Sequence, residues 1–192
     1  METEHVTGIP KSMGGSGDPS PVTAYGVYMG IKASSKFLWG DDNLEDKKIL
    51  VQGIGHVGEY LVKYLSDEKA KVFISDINQK KLDNAASKYG ATIIDNDSVF
   101  DFDMDIYAPC ALGGILNTSN INKLKCSIVC GGANNQFEDE IRDSLHLKEK
   151  GIVFAPDFLV NSGGLINVYS ELKGYNSCLL YTSDAADEGL GV

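Results

Sequence analysis

The sequence predicts an α/β protein built on a doubly wound parallel sheet, and three observations carry that prediction. From Lys48 onward, short apolar runs alternate with helix-patterned segments. Each apolar run ends in a Gly, Pro or polar turn, as strands that feed crossover helices do. The first run leads directly into a glycine-spaced loop that opens a helix.

Taken in order, residues 8–21 contain Pro10, Pro19 and Pro21 with four glycines, and are expected to be a linker or loop without regular structure. Ser20-Pro21-Val22-Thr23 then starts a helix. Val22, Tyr25, Tyr28, Met29, Ile31 or Lys32, and Phe37 recur at spacings of three and four and are expected to form its apolar face. Ile49 to Gln52 reads as a short buried strand, Tyr60 to Leu65 as a helix, and Lys71 to Ser75 as a second strand ending at Asp76. Asn78 is placed to cap a helix running through Lys88, with Gly90 as its stop. Further strands are expected over 91–94, 105–108, 127–130 and 152–155. In such a sheet the ligand sits at the carboxyl ends of the strands. The turns that matter are therefore 53–58, 76–78, 108–114, 130–136 and 155–164.

The first of these turns is Gly53-Ile54-Gly55-His56-Val57-Gly58. Its spacing alone is common in a chain with 21 glycines. The strand before it, the helix after it and Asp76 beyond it make it a dinucleotide-binding, Rossmann-type loop. Gly53 suits a tight turn, Gly55 lets backbone approach a pyrophosphate, and Gly58 lets helix pack on strand. The helix N-terminus offers free N–H groups to phosphate. Asp76 can accept hydrogen bonds from ribose hydroxyls and repels a 2′-phosphate, which selects NAD over NADP; Lys80 and Lys81 are the nearby cations that oppose this. His56 is either a cofactor contact or, as its variable position favours, a solvent-facing side chain.

Pro109-Cys110-Ala111-Leu112-Gly113-Gly114 has small residues suited to backbone passing close to a ligand. Cys110 has no base spaced to activate it, so a buried small hydrophobe is favoured over a nucleophile. Gly131-Gly132-Ala133-Asn134-Asn135-Gln136 offers amides either to a ribose or nicotinamide carboxamide or to a helix cap.

Composition removes other classes. The chain of 192 residues is 43% hydrophobic and 23% charged, with a formal net charge of −10, and its lysines lie scattered among acids. Nucleic acid is not an expected partner. Cys110, Cys126, Cys130 and Cys178 lack CxxC spacing and paired histidines, so no metal site is expected. His5, His56 and His146 lack the company a hydrolytic triad needs. No apolar run nears the ~18 residues of a membrane helix, and a cytoplasmic location with reduced thiols is expected.

With these motifs assembled, the chain resembles the leucine, valine and phenylalanine dehydrogenases of the glutamate dehydrogenase superfamily, and most of all the leucine branch. The resemblance runs from about Val6 to Asn176. It rests on Val6-Thr7-Gly8, the run from Gly17 to Tyr28, the glycine loop, Ala108 to Gly114, Gly132 to Gln136, and Ala155 to Gly164. It implies NAD-dependent, reversible oxidative deamination of an L-amino acid to its 2-oxo acid. It also implies that Gly53, Ile54, Gly55, His56, Val57, Gly58, Asp76 and Ile77 hold the pyrophosphate and ribose, and that Thr23 lies beside the nicotinamide amide. Ala108, Pro109, Cys110, Ala111, Ala133, Asn134 and Asn135 line the cofactor, and Asn161 stands at the cleft. Leu165 and Val168 help form an aliphatic substrate pocket, although their spacing equally suits a buried helix face.

Family members are about twice as long, and their catalytic lysine and aspartate lie in an N-terminal domain. The chain is accordingly expected to be the cofactor half, without turnover alone. Residues 1–21 are read as the end of the substrate domain and its linker, and 22–176 as the NAD-binding domain. Residues 177–192 are read as a non-native tail, because Cys178 to Glu188 looks like translated sequencing-adapter sequence. A homo-oligomeric parent enzyme is implied. The alternatives are a phenylalanine or glutamate dehydrogenase, or a non-catalytic module that senses NAD.

Overall fold

The computed structural model describes residues 7–171, so His5, Cys178 and the tail read as non-native lie outside it. Six strands form one parallel sheet: β1 (Lys48–Gln52), β2 (Lys71–Ser75), β3 (Thr92–Ile93), β4 (Ile106–Pro109), β5 (Ile128–Val129) and β6 (Val153–Phe154). Their spatial order is β3-β2-β1-β4-β5-β6. The order reverses between β1 and β4, where Val51 pairs with Ala108 and Gln52 with Pro109. That crevice is the switch point at which open α/β sheets bind ligands.

Among the described residues seven α-helices accompany the sheet: α1 (Ser20–Trp39), α2 (His56–Asp67), α3 (Gln79–Tyr89), α4 (Thr118–Lys123), α5 (Glu140–Glu149), α6 (Asp157–Val160) and α7 (Ser162–Glu171). Alternate strand residues feed two cores, as the two-residue period of a strand requires. Ile49, Val51, Ile74, Ile106, Ala108, Ile128 and Cys130 join Ala24, Val27 and Ile31 of α1, Leu61, Val62 and Leu65 of α2, and Leu82 and Ala85 of α3. Leu50, Tyr107 and Val129 point the other way, into a core with Leu116, Ile121 of α4 and Leu147 of α5. The sheet is wound on both faces, as the alternation of the sequence predicts.

Local signals hold where they act locally. The Asn78 side chain accepts a hydrogen bond from the Lys81 amide, and Gly90 closes α3 in the left-handed conformation at φ 72°. The helix expected over 60–65 begins at His56, immediately inside the glycine loop. Residues 8–21 are less irregular than expected. Lys11–Met13 make a 3₁₀ turn, and Ser20 with Pro21 already belongs to the first turn of α1, where proline costs nothing. The carboxylate of Glu171, in α7, ties this strap down by accepting the Gly8 amide at 3.1 Å and the Ser16 hydroxyl at 2.7 Å.

The buried face of α1 differs from the expected one. Ala24, Val27, Ile31, Ser34 and Ser35 are buried, whereas Tyr25, Met29 and Phe37 are exposed, Phe37 at 81%. The cause is close packing. An added Cβ at Gly26 would stand 2.6 Å from the Val160 carbonyl, and one at Gly30 2.5 Å from the Val160 side chain. The helix turns its small residues inward, and Tyr25 and Tyr28 instead build an aromatic cluster with Tyr64 of α2 at centroid separations of 5.6–5.9 Å.

On the other face, Asp143 has no exposed side-chain surface. Its carboxylate accepts from Arg142 Nε at 2.8 Å, the Asp139 amide at 3.0 Å and Thr118 Oγ1 at 3.3 Å. The hydrogen bonds from Arg142, ahead of those from Asp139, hold its carboxyl down at about 2, below the ordinary 3.8. A depressed folded-state pKa adds stability above the unfolded value, and that stability disappears as pH falls through the folded one. Asp143→Asn is therefore expected to lower the melting temperature at pH 7, with the deficit closing between about pH 4 and pH 2 in thermal melts across that range.

Candidate functional site at the carboxyl edge of the sheet

The loops that leave β1, β2, β4, β5 and β6 share one edge of the sheet, and bring most of the expected residues together. Gly53 bends the chain out of β1 at φ 99°, its amide held by the Ser75 carbonyl at 2.7 Å. A side chain there would strike Ala111 at 2.7–2.8 Å, so the loops after β1 and β4 lie against each other. At Gly58 a Cβ would fall 1.9 Å from the Gly53 carbonyl oxygen, which fixes how closely α2 approaches β1. Gly55 differs: nothing lies within 4 Å of its virtual Cβ, and its φ of −80° is open to any residue.

Gly55 is also the N-cap of α2 and supplies no side-chain cap. By contrast α3, α4 and α5 are capped by Asn78, Asn117 and Asp139. The first amides of a helix lack intrahelical partners, and an anion satisfies them. Ile54 is buried beneath the loop. Val57 is half-buried. The His56 side chain is 84% exposed, with Nδ1 4.0 Å from Asp18 Oδ2. This is the solvent-facing placement that sequence position favours.

Asp76 closes the loop from β2. Its Oδ2 accepts the Ile54 amide at 2.6 Å and its Oδ1 the Asn78 amide at 2.8 Å. Each oxygen keeps a second lone pair for a hydroxyl. Ile77 beside it is 93% exposed. The acid that the spacing singles out thus also holds the glycine loop in place.

After β4, Cys110 donates its amide to the Gln52 carbonyl at 2.7 Å, while Ala111 and Leu112 are exposed at the loop tip. Ala108 and Ala133 are buried, Ala108 with no exposed surface, so their side chains belong to the core beneath the loops. Burial pushes the Cys110 thiol up to about 11. The protonated thiol that this favours is the weakly nucleophilic form of a cysteine. Burial pushes Cys126 up as well, to about 12.

Beyond β5 and β6, Asn161 Nδ2 donates to Asn134 Oδ1 at 2.6 Å. Thr23 on α1 donates its hydroxyl to the Pro19 carbonyl at 3.0 Å. It faces α7 so closely that a Cβ on Gly164 would meet Thr23 Oγ1 at 2.3 Å. On α7, Leu165 is 73% exposed and Val168 half-buried. Leu165 does not serve to bury its own helix.

Two acids at this edge escape a reading of spacing. Asp18 has its Oδ1 accepting the Ser20 amide at 2.9 Å and the Ser20 hydroxyl at 2.6 Å. Asp157 accepts the Asn135 amide at 2.6 Å. Asp18 falls in the Gly17–Tyr28 run and Asp157 in the Ala155–Gly164 run that carry the family resemblance, but only the Asp-x-Ser turn pattern marks the Asp18 side chain and no spacing marks that of Asp157 as a partner of Asn135. Among the described residues no group of His, Cys, Asp and Glu is placed to hold a metal ion, and no helix is long and apolar enough to cross a membrane.

Strand order, loop placement and the glycine crossing define a Rossmann-type α/β domain with its polar loops gathered at the switch point. Comparison with known proteins places it further: residues 14–78 and 73–191 match the Glutamate/Leucine/Phenylalanine/Valine dehydrogenase family, and the chain belongs to that family. It is 52% identical over 175 residues to the leucine dehydrogenase of Thermoactinomyces intermedius, covering 91% of this chain and 48% of that one. It is 43% identical over 176 residues to the L-tryptophan dehydrogenase of Nostoc punctiforme, covering 92% and 49%. The crystal structure of L-tryptophan dehydrogenase from Nostoc punctiforme superposes with a TM-score of 0.84 at 42% identity, covering 85% of this chain and 49% of that one. A hetero-hexameric glutamate dehydrogenase from Thermus thermophilus shares the fold, with a TM-score of 0.73 at 21% identity over 92% of this chain and 46% of that one. The chain spans about half the length of the curated relatives it matches.

Because the Gly58 contact is a packing constraint within the protein, its effect is on stability. Gly58→Ala is expected to cost about 1–3 kcal/mol in urea unfolding, the range of overpacked sites.

Proposed function

We propose that this chain is the NAD-binding part of an L-amino acid dehydrogenase that reversibly deaminates leucine and other branched-chain amino acids to 2-oxo acids. Gly55 is the observation that carries the cofactor reading. Gly53 and Gly58 are required by contacts inside the protein, whereas Gly55 is required by none. A glycine that the fold does not need, at the uncapped start of α2, fits a ligand whose backbone contacts come close. The pyrophosphate of NAD is that ligand. Ile54, His56 and Val57 complete its cradle with Gly53 and Gly58.

Asp76 and the exposed Ile77 receive the adenosine ribose, and the carboxylate disfavours the extra phosphate of NADP. Thr23, Cys110, Ala111, Asn134, Asn135 and Asn161 surround the nicotinamide end, with Ala108, Pro109 and Ala133 forming the floor beneath. When bound, NAD supplies the hydride acceptor for oxidation at the amino acid Cα. The chain's own part is to bind the cofactor, orient it and present the polar Asn134–Asn161 pair to the cleft.

The substrate reading is supported by the 52% identity to a leucine dehydrogenase. The exposed Leu165, one turn from Val168 on α7, offers aliphatic surface to a branched side chain. We place a homo-oligomeric, cytoplasmic enzyme within the same proposal.

Two measurements test it. In calorimetric titrations, NAD is expected to bind more tightly than NADP. Gly55→Ala is expected to weaken NAD binding by about tenfold or more while changing unfolding free energy by no more than about 1 kcal/mol. Equal loss of binding and stability would overturn the role given to Gly55. In turnover assays of the whole dehydrogenase of which this chain is proposed to be part, kcat/KM is expected to be highest for L-leucine and its branched neighbours. A maximum at tryptophan or phenylalanine would instead assign it to the aromatic branch that its 43% identical relatives represent.

A further inference from the structure

We infer that Asp157 is a positioning residue for the nicotinamide end of the cofactor site, acting through the backbone of Asn135. The inference rests on the cofactor reading above and deepens it.

Asn135 occupies the left-handed region, at φ 51°. Asparagine tolerates this conformation better than most residues, but it remains sparsely populated and persists where surrounding contacts hold it. Here the contacts come from two other strand ends. The Asn135 amide donates to Asp157 Oδ2 at 2.6 Å, just after β6. Its carbonyl accepts the Gly114 amide at 2.8 Å, in the loop after β4. A Cβ on Gly113 would lie 2.6 Å from both the Asn134 and the Asn135 carbonyl oxygens, so this loop is seated directly on the turn. The other carboxylate oxygen, Asp157 Oδ1, accepts the Phe158 amide at 2.9 Å and so anchors the acid to the start of α6.

The consequence falls on the neighbouring side chain. Asn134 Oδ1 accepts Asn161 Nδ2 at 2.6 Å, and that same Nδ2 lies 3.4 Å from the Gly132 carbonyl. The direction of Asn134 depends on the turn that Asp157 holds at Asn135. From inside, Gln136 braces the same turn through Nε2, which donates to the Gly131 and Ala133 carbonyls at 2.9 and 3.0 Å. Asp157 braces it from outside, across to β6. None of these hydrogen bonds includes a residue of the glycine loop, so the effect of Asp157 falls first on the nicotinamide end of the site.

The test uses the 192-residue chain with two probes, NADH and ADP-ribose. ADP-ribose keeps the adenosine and pyrophosphate but lacks nicotinamide. Asp157→Ala is expected to weaken NADH binding by about tenfold, the scale of one lost charge-assisted hydrogen bond, and to leave ADP-ribose within about twofold. Asp157→Asn retains an oxygen acceptor for the Asn135 amide and is expected to restore most of the NADH affinity. Unchanged NADH binding by Asp157→Ala would overturn the inference, as would equal weakening of both probes. If Asp157→Ala unfolds the chain, Asp157→Leu, which keeps the volume but has no acceptor for the Asn135 amide, takes its place: weakening confined to NADH supports the role, and equal or no weakening overturns it. Failure of the unsubstituted chain to bind ADP-ribose would remove the cofactor reading itself, an outcome distinct from all of these.

Discussion

The crossing of α2 over the end of β1 is the constraint from which the rest of the site follows. It is tight enough that one carbon atom on Gly58 would overlap the Gly53 carbonyl. That closeness delivers the N-terminus of α2 to the carboxyl end of the central strand. Gly53 in turn leans on Ala111, so the same crossing draws in the loop after β4. The helix terminus, with its partial positive charge and unpaired amides, then sits at the point where strand order reverses. Asp76 completes the arrangement by holding the Ile54 amide from the next strand.

The far side of the site is assembled differently. β5 and β6 contribute only two paired residues each, so backbone pairing alone gives little precision to the loops beyond them. Side chains supply it instead, through Gln136 within the turn, Asp157 across it and Asn161 against Asn134. The two halves therefore have different physical characters. One is fixed by glycine contacts that leave no room to move. The other is fixed by hydrogen bonds that single substitutions remove.

Legible in the sequence are the features that depend on neighbours along the chain. Alternating apolar runs marked every strand of the sheet, and Asn78 and Gly90 marked both ends of α3 because capping is a local event. The glycine loop and Asp76 were legible because their spacing encodes a strand–turn–helix unit. The buried face of α1 was not. Spacing pointed to its large residues, Tyr25, Met29 and Phe37, whereas contact with Val160 of α6 selects its small ones. Asp157 was hidden for the same reason: its partner, Asn135, is brought near only by the pairing of β5 with β6. Equally hidden was the distinction among the three glycines of the loop, since only the folded contacts separate Gly53 and Gly58 from Gly55.

We propose that the open start of α2 receives the phosphates of a dinucleotide. The most direct measurement is amide chemical-shift mapping of the isotopically labelled chain during titration with NAD. The largest shifts are expected at the amides of Ile54 to Gly58 and of Asp76 to Asn78, with the capped start of α5 unmoved. No saturable shifts, or shifts centred on the α4–α5 face, would contradict it.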